Sequence, residues 1–211
     1  MMRLFSFAVL LLTACVAQLG VAQAHPHVSV TSTSELIYTG DGSVTGVRHV
    51  WAFDELFSAY AIQGIDTKTK GVYTREDLAP LAQVNVDSLK EFAYFTTARA
   101  GGKKEKFGDP IDYFLEYKGS SLVLTFTLPL KVPAKTPELV LEVFDPTYFV
   151  AFALADKEPL KLVGAPANCK LAIEKPNESK PQQNLSEQNF LNGENANYGA
   201  SFANRMTVAC Q

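Results

Sequence analysis

Two imidazoles separated by a proline stand at His25-Pro26-His27, and a pair of carboxylates, Asp54 and Glu55, opens a helical pattern further along. Imidazole nitrogen with carboxylate oxygen is a donor set that zinc, copper and nickel accept. Scarcity gives these residues weight. The chain of 211 residues has only three His, three Cys and one Trp, so a site built from imidazole or thiolate has few residues to draw on. An N-terminal His can chelate through its α-amine and its own ring together, so the chemistry depends on whether His25 begins the mature chain. Pro26 has no N–H, which blocks the square-planar chelate that deprotonated amides make in an X-X-His terminus. Carboxylates must then complete the shell.

Arg3 precedes the apolar run Leu4 to Leu12, and Ala22-Gln23-Ala24 places small residues where a signal peptidase reads them. The favoured reading is a secretory signal over 1–24, because an apolar run this short is not a permanent span. Cleavage leaves His25 first, and the side-chain charge becomes 18 basic against 22 acidic groups, or −4, since Arg3 is lost from the 19 basic groups of the whole chain. A competing reading stays open. Leu12-Thr13-Ala14-Cys15 also fits a lipobox, in which Cys15 becomes a lipidated first residue. Residues 25–211 are expected to form a single periplasmic domain with no membrane span of its own.

Cys169 and Cys210 are an even pair in an exported chain and are expected to be bridged. A loop of that length gives roughly 4 kcal/mol of stabilisation by chain entropy. No Cys-x-x-Cys spacing suggests redox work.

The strand and helix pattern shows what must position the metal donors. His27 to Tyr38 and Val44 to Phe53 read as strands around the turn chemistry of Gly40-Asp41-Gly42-Ser43. With Asp41-Gly42 as a two-residue turn, paired positions sum to 83 and His49 faces Ser34. That puts His49 roughly 24 Å along the strand from His27, which demotes it as a ligand. The same register sets the start of the first strand opposite residues 54–56, bringing Asp54 and Glu55 beside His25 and His27 if pairing runs that far. The alternative, that Asp54 only caps its helix and the histidines lie on an unanchored terminus, stands beside it.

Asp54 to Ile65 and a stretch opening with Thr74-Arg75-Glu76-Asp77 have helical spacing. Thr74 and Asp77 sit as in a capping box, and Pro80 falls near the helix start. Between them, Asp66 to Asp77 has the length and the Gly71 position of a calcium-binding EF-hand loop. Lys68 and Lys70 stand where the ion needs oxygen, so calcium is not expected. From Phe92 onward FAYFTTAR, YFLEYKG, SSLVLTFTLPL, LVLEVFDPTYFVAFAL and MTVAC read as strands. Alternation over Leu122 to Leu128 implies one strongly buried face. The expected fold is mainly β, a β-sandwich-like domain with a two-helix, degenerate EF-hand-like insertion at about 54–91.

Other function classes recede. A slightly acidic balance without a basic run argues against nucleic acid. There is no Gly-x-Ser-x-Gly elbow and no nucleophilic Cys outside the expected disulfide, and Asp109, Asp112 and Asp145 sit in turn-like contexts. No enzyme is expected.

The segments AHPHV at 24–28, RHVWAFDELFSAY at 48–60, FGDPIDYFLEY at 107–117, LTFTLPL at 124–130 and FDPTYFVAF at 144–152 resemble the bacterial periplasmic family called domain of unknown function 1007. That family is described as a periplasmic component of an uncharacterised ABC-type transport system, and its members are associated with nickel/cobalt export permeases. The resemblance implies metal traffic with a membrane transporter or permease as partner. It places His25, His27, Asp54 and Glu55 in the His-Pro-His and Phe-Asp-Glu segments of the family. Members often have an acidic calcium-hand-like loop, from which Lys68 and Lys70 depart. The expectation is a periplasmic accessory protein binding nickel, cobalt, zinc or copper, with a non-catalytic docking module as the alternative.

Overall fold

A computed structural model describes residues 26–176 and 197–210. The first two strands, β1 (Val28–Tyr38) and β2 (Val44–Phe53), form the expected hairpin. Val30 to Ile37 pair with Phe53 to Gly46 so that positions sum to 83, with Ser34 opposite His49. The turn itself corrects the two-residue expectation. Thr39 N–H donates to Ser43 O and Gly42 N–H to Thr39 O, and Gly42 takes φ +82°, so Gly40-Asp41-Gly42 is a three-residue loop with glycine in the left-handed position. That shifts the register by one, and Tyr38 faces Val44. A bulge at Thr45 then restores it, so two deviations cancel.

The hairpin is the middle of one sheet. β6 (Ser121–Ala134) pairs with β2, and β5 (Ile111–Lys118) lies outside β6. On the far side, β8 (Val150–Leu154) and β9 (Leu160–Val163) share the edge of β1, each parallel to it and one after the other. The second sheet runs β10-β11-β7-β3-β4: β3 (Thr96–Ala100), β4 (Lys103–Lys104), β7 (Glu138–Val143), β10 (Cys169–Glu174) and β11 (Asn204–Cys210). The fold is mainly β and sandwich-like. Between the sheets lie Trp51, Leu124, Phe126 and Leu128 of the first and Leu141, Val143, Met206 and Val208 of the second. Burying one such side chain contributes about 1.5–3 kcal/mol. The Asn204 amide ties the layers at one edge by donating to Phe152 O at 2.7 Å.

Cys169 and Cys210 are opposite each other across the β10–β11 ladder and are joined as a disulfide, closing a separation of 41 residues. No helix among the described residues is long and apolar enough to cross a membrane.

The insertion supplies α1 (Glu55–Ala61) and α2 (Arg75–Leu89). Asp54 caps α1, and Thr74 with Asp77 makes a reciprocal capping box on α2. Pro80 falls at the sixth residue of α2, past the first turn where it was expected to cost nothing. Glu76, whose carbonyl loses its partner, is exposed to solvent. The helices cover the outer face of the first sheet: Arg75 pairs with Glu116 at 2.9 Å and lies over the Phe114 ring, and Ser58 Oγ accepts from Leu122 N–H. This third layer overturns the one-faced reading of β6, because Leu122 to Leu128 are buried at every position.

Phe92 to Phe95 also depart from the strand pattern. They belong to a 3-10 segment, Lys90–Phe95, in which Ala93, Tyr94 and Phe95 have φ of 50°, 55° and 49°. Three successive L-residues in left-handed geometry cost roughly 1–2 kcal/mol each. Burial of Tyr94 and Phe95 in the core offsets that cost.

Candidate functional site

Alternation along β1 sends Val28, Val30, Ser32 and Ser34 into the core and Ser29 and Thr31 to the outer face. Ser29 and Thr31 lie beside Ala151 and Ala153 of β8, and Thr31 beside Ala52 of β2. These small side chains floor a groove of about 550 Å³, walled by Asp54 and Glu55 on one side and by Tyr148 and Phe202 on the other. Phe202 stacks on Tyr148 at 4.2 Å.

Asp54 is held by two jobs. Its Oδ1 accepts from Phe57 N–H at 2.8 Å as the helix cap, and its Oδ2 accepts from Ser29 N–H at 2.7 Å. Asp54 N–H donates back to Ser29 O at 2.9 Å. The β1–β2 pairing therefore runs as far as Ser29 and Asp54, after which β2 becomes a helix. A carboxylate offers about four acceptor positions, so Asp54 retains capacity for a cation. Glu55 is exposed and accepts from Ser120 Oγ.

His27 does not continue toward Asp54 and Glu55. Its N–H donates to Phe149 O at 2.9 Å, and its ring packs on Phe149 with centroids 4.7 Å apart. The pairing that would have put Glu55 beside His27 is thus replaced by β8. His27 lies just before β1, two residues from Ser29 and within about 7 Å of it along the chain. His25 lies outside the described residues. Among the described residues no three His, Cys, Asp or Glu side chains converge as a metal cluster.

His49 is the third histidine, and the structure puts it in the core with no exposed surface. Ser34 Oγ is 2.8 Å from Nδ1 and Thr96 Oγ1 is 3.2 Å from Nε2. Thr96 donates its hydroxyl proton to Tyr94 O at 2.7 Å, so it accepts from Nε2–H, and Nδ1 accepts from Ser34. One neutral tautomer satisfies every group. Burial pushes the imidazole down to about 3. The expectation that His49 is a strand residue rather than a ligand agrees with this position. The hydrogen-bonding role with Thr96 was not foreseen, because Thr96 belongs to the other sheet.

The calcium-hand-like loop keeps its turn, with Gly71 at φ +78° and a bridge between Thr69 and Val72. Asp77, the last position of that loop, spends its carboxylate on Thr74, accepting from N–H at 3.0 Å and from the hydroxyl at 2.8 Å. Those hydrogen bonds, with Lys68 nearby, hold its carboxyl below the usual range. Asp145 is buried and accepts from Thr147 N–H and hydroxyl and from Val150 N–H. It builds the Phe144 to Phe149 turn, as the Asp-Pro context suggested. Tyr148 and Phe202, the aromatic wall of the groove, were missed. The close approach of Gly199 to Asp145 O and the Gly199 N–H bond to Pro146 O bring their segments together, and no local pattern signals it.

An uncharacterised protein of Haemophilus influenzae is 26% identical over 194 residues, covering 89% of this chain and 92% of its own. An uncharacterised 15.5 kDa protein encoded in the trpE 3′ region of Spirochaeta aurantia is 28% identical over 99 residues, 46% of this chain and 70% of its own. The family model described as protein of unknown function, DUF1007, matches residues 10–210, and the chain belongs to that family.

Proposed function

We propose that this chain is a periplasmic accessory protein of metal transport, holding a divalent transition ion (nickel, cobalt, zinc or copper) at its mature N-terminus. His25 would supply amine and imidazole, His27 a second imidazole, and Asp54 with Glu55 the carboxylate oxygen. The observation that carries this reading is Asp54 on the wall of an open groove, hydrogen-bonded to Ser29 two residues from His27, with acceptor positions still uncommitted. The disulfide suits an oxidising compartment, in keeping with periplasmic export. The metal is cargo, delivered to or received from a membrane permease.

The test is to define the exported N-terminus by mass spectrometry and then titrate each of the four metals into wild type and a His25→Ala/His27→Ala variant. Tight binding lost in the variant supports the reading; equal binding by both proteins ends it. A second reading, a docking module without its own metal, is favoured by the exposed apolar side chains Leu56, Tyr60, Phe92 and Phe149. Metal-free protein that still co-purifies with a permease would select it.

A further inference from the structure

A second groove, of about 670 Å³, lies at an edge of the sandwich. The segment after β4 crosses there from one sheet to the other. Glu105 N–H donates to Ala98 O of β3, while Lys131 N–H donates to Lys106 O and Gly108 N–H to Pro129 O, each at 2.8 Å. This stitching fixes Lys106 next to Lys131 by a backbone hydrogen bond, with Lys104 and Lys90 on the same groove.

The charge is out of keeping with the rest of the chain. The protein has a net charge of −3, yet the groove lining has four lysines against Glu105 and Asp109. Asp109 is already engaged by Lys90 at 2.8 Å. Among the described residues no salt bridge reaches Lys104, Lys106 or Lys131. Like charges held side by side on paired strands oppose folding, and a bound counter-anion relieves them. The left-handed turn forms another part of the lining through Ala93 and Tyr94. Strained backbone of this kind persists where surrounding structure over-determines it, and it clusters at binding sites.

We infer that this groove binds a small, multiply charged oxyanion. Ammonium groups act as point charges without the planar fork that selects one geometry, so a phosphate and a polycarboxylate share the required chemistry. Tyr94 and Phe107 supply an aromatic floor for the rest of the ligand. The inference stands apart from the metal reading and survives its failure.

Calorimetric titration of the exported protein at low ionic strength, with pyrophosphate in one arm and citrate in the other, tests it. Three proteins are compared: wild type, Lys106→Gln/Lys131→Gln, and Lys68→Gln/Lys70→Gln, which removes the same charge from the α1–α2 loop. All four lysines are exposed, and circular dichroism checks that each variant is folded. At least one anion should bind wild type and the loop variant saturably, and the groove variant roughly tenfold or more weakly, with affinity falling as salt rises. No saturable binding of either anion, or equal loss in both variants, overturns the inference. So does binding to phosphatidylglycerol vesicles with no response to either soluble anion.

Discussion

Lowering the pH should unload stability from one residue, His49. Its imidazole is fully buried, neutral, and hydrogen-bonded by Ser34 and Thr96 in a single tautomer. The folded protein holds its pKa at about 3, whereas the unfolded chain restores the ordinary 6.5. Between those values the unfolded state takes up a proton that the folded state refuses. Stability is therefore fully present above pH 6.5 and falls by about 1.4 kcal/mol per pH unit below it. At pH 4.5 the loss amounts to about 3 kcal/mol, and near pH 3, where the folded histidine is itself half protonated, to about 4 kcal/mol, a large share of the 5–15 kcal/mol typical of a folded protein. Asp41, held at about 2 by hydrogen bonds from Thr39 and Ser43, and Glu116, held below its ordinary 4.5 by Lys118 and Arg75, release their contributions near or below the bottom of the window from 6.5 to 4.5, so the difference between wild type and a variant lacking the imidazole reports on the histidine there. Urea unfolding at pH 7.5, 6, 5 and 4.5 should be compared for wild type and His49→Gln, whose amide can still donate to Thr96 but does not titrate. The advantage of wild type at pH 7.5 should shrink by about 3 kcal/mol at pH 4.5. A difference that stays constant across the series would refute the assignment, as would an imidazole that NMR shows protonated at pH 5 in the folded protein.

Ser32 and Ser34 face the same core two residues apart, yet their hydroxyls differ: Ser34 serves His49, while Ser32 Oγ and the neighbouring Trp51 Nε1 have no hydrogen-bond partner among the described residues. Ser34→Ala should cost about 1–3 kcal/mol by orphaning Nδ1, and Ser32→Ala should be neutral or slightly stabilising; equal losses in denaturant titration would contradict the pairing. A Cβ at Gly199 would sit 1.6 Å from Asp145 O, so Gly199→Ala should destabilise by about 1–3 kcal/mol or more and scatter the stack of Tyr148 on Phe202, read as a lower melting temperature with altered near-ultraviolet dichroism. Replacing Cys169 and Cys210 by Ala, across their separation of 41 residues, should lower stability by roughly 4 kcal/mol; an unchanged denaturation midpoint would show that the ladder alone holds β10.

Local chemistry made part of this structure readable from residues in order. Asp54 as a cap, Thr74 with Asp77 as a box, and Ser34 opposite His49 all follow from spacing within one or two elements. The pairing sum of 83 survived because the extra loop residue and the bulge at Thr45 offset each other; a single irregularity would have flipped every later side chain to the opposite face. Short strands were not readable. β4 has two residues, β9 four, and β10 alternates exposed and half-buried side chains, so their pattern is too brief or too weak for period-two reasoning. The strand reading of Phe92 to Phe95 failed for another reason: aromatic content favours strand, but burial of Tyr94 and Phe95 against the core won over backbone preference.

Both grooves depend on relations of that second kind. The small-residue floor exists because β8 returns parallel to β1, which places Ala151 and Ala153 beside Ser29 and Thr31 from more than a hundred positions away. The lysine groove exists because one irregular crossing sets Lys106 against Lys131. Composition reads the chain as mildly acidic and so argues against nucleic acid, but a mean charge does not constrain a local one. The three lysines of this groove that no salt bridge among the described residues reaches, Lys104, Lys106 and Lys131, can hold an anion on a protein whose total charge repels it, because screening confines their interaction to about 10 Å at 0.1 M salt. The distant acidic groups contribute little at that range. Raising salt should therefore weaken anion binding by screening the groove lysines themselves, whereas neutralising acidic residues on the far side of the molecule should leave it nearly unchanged.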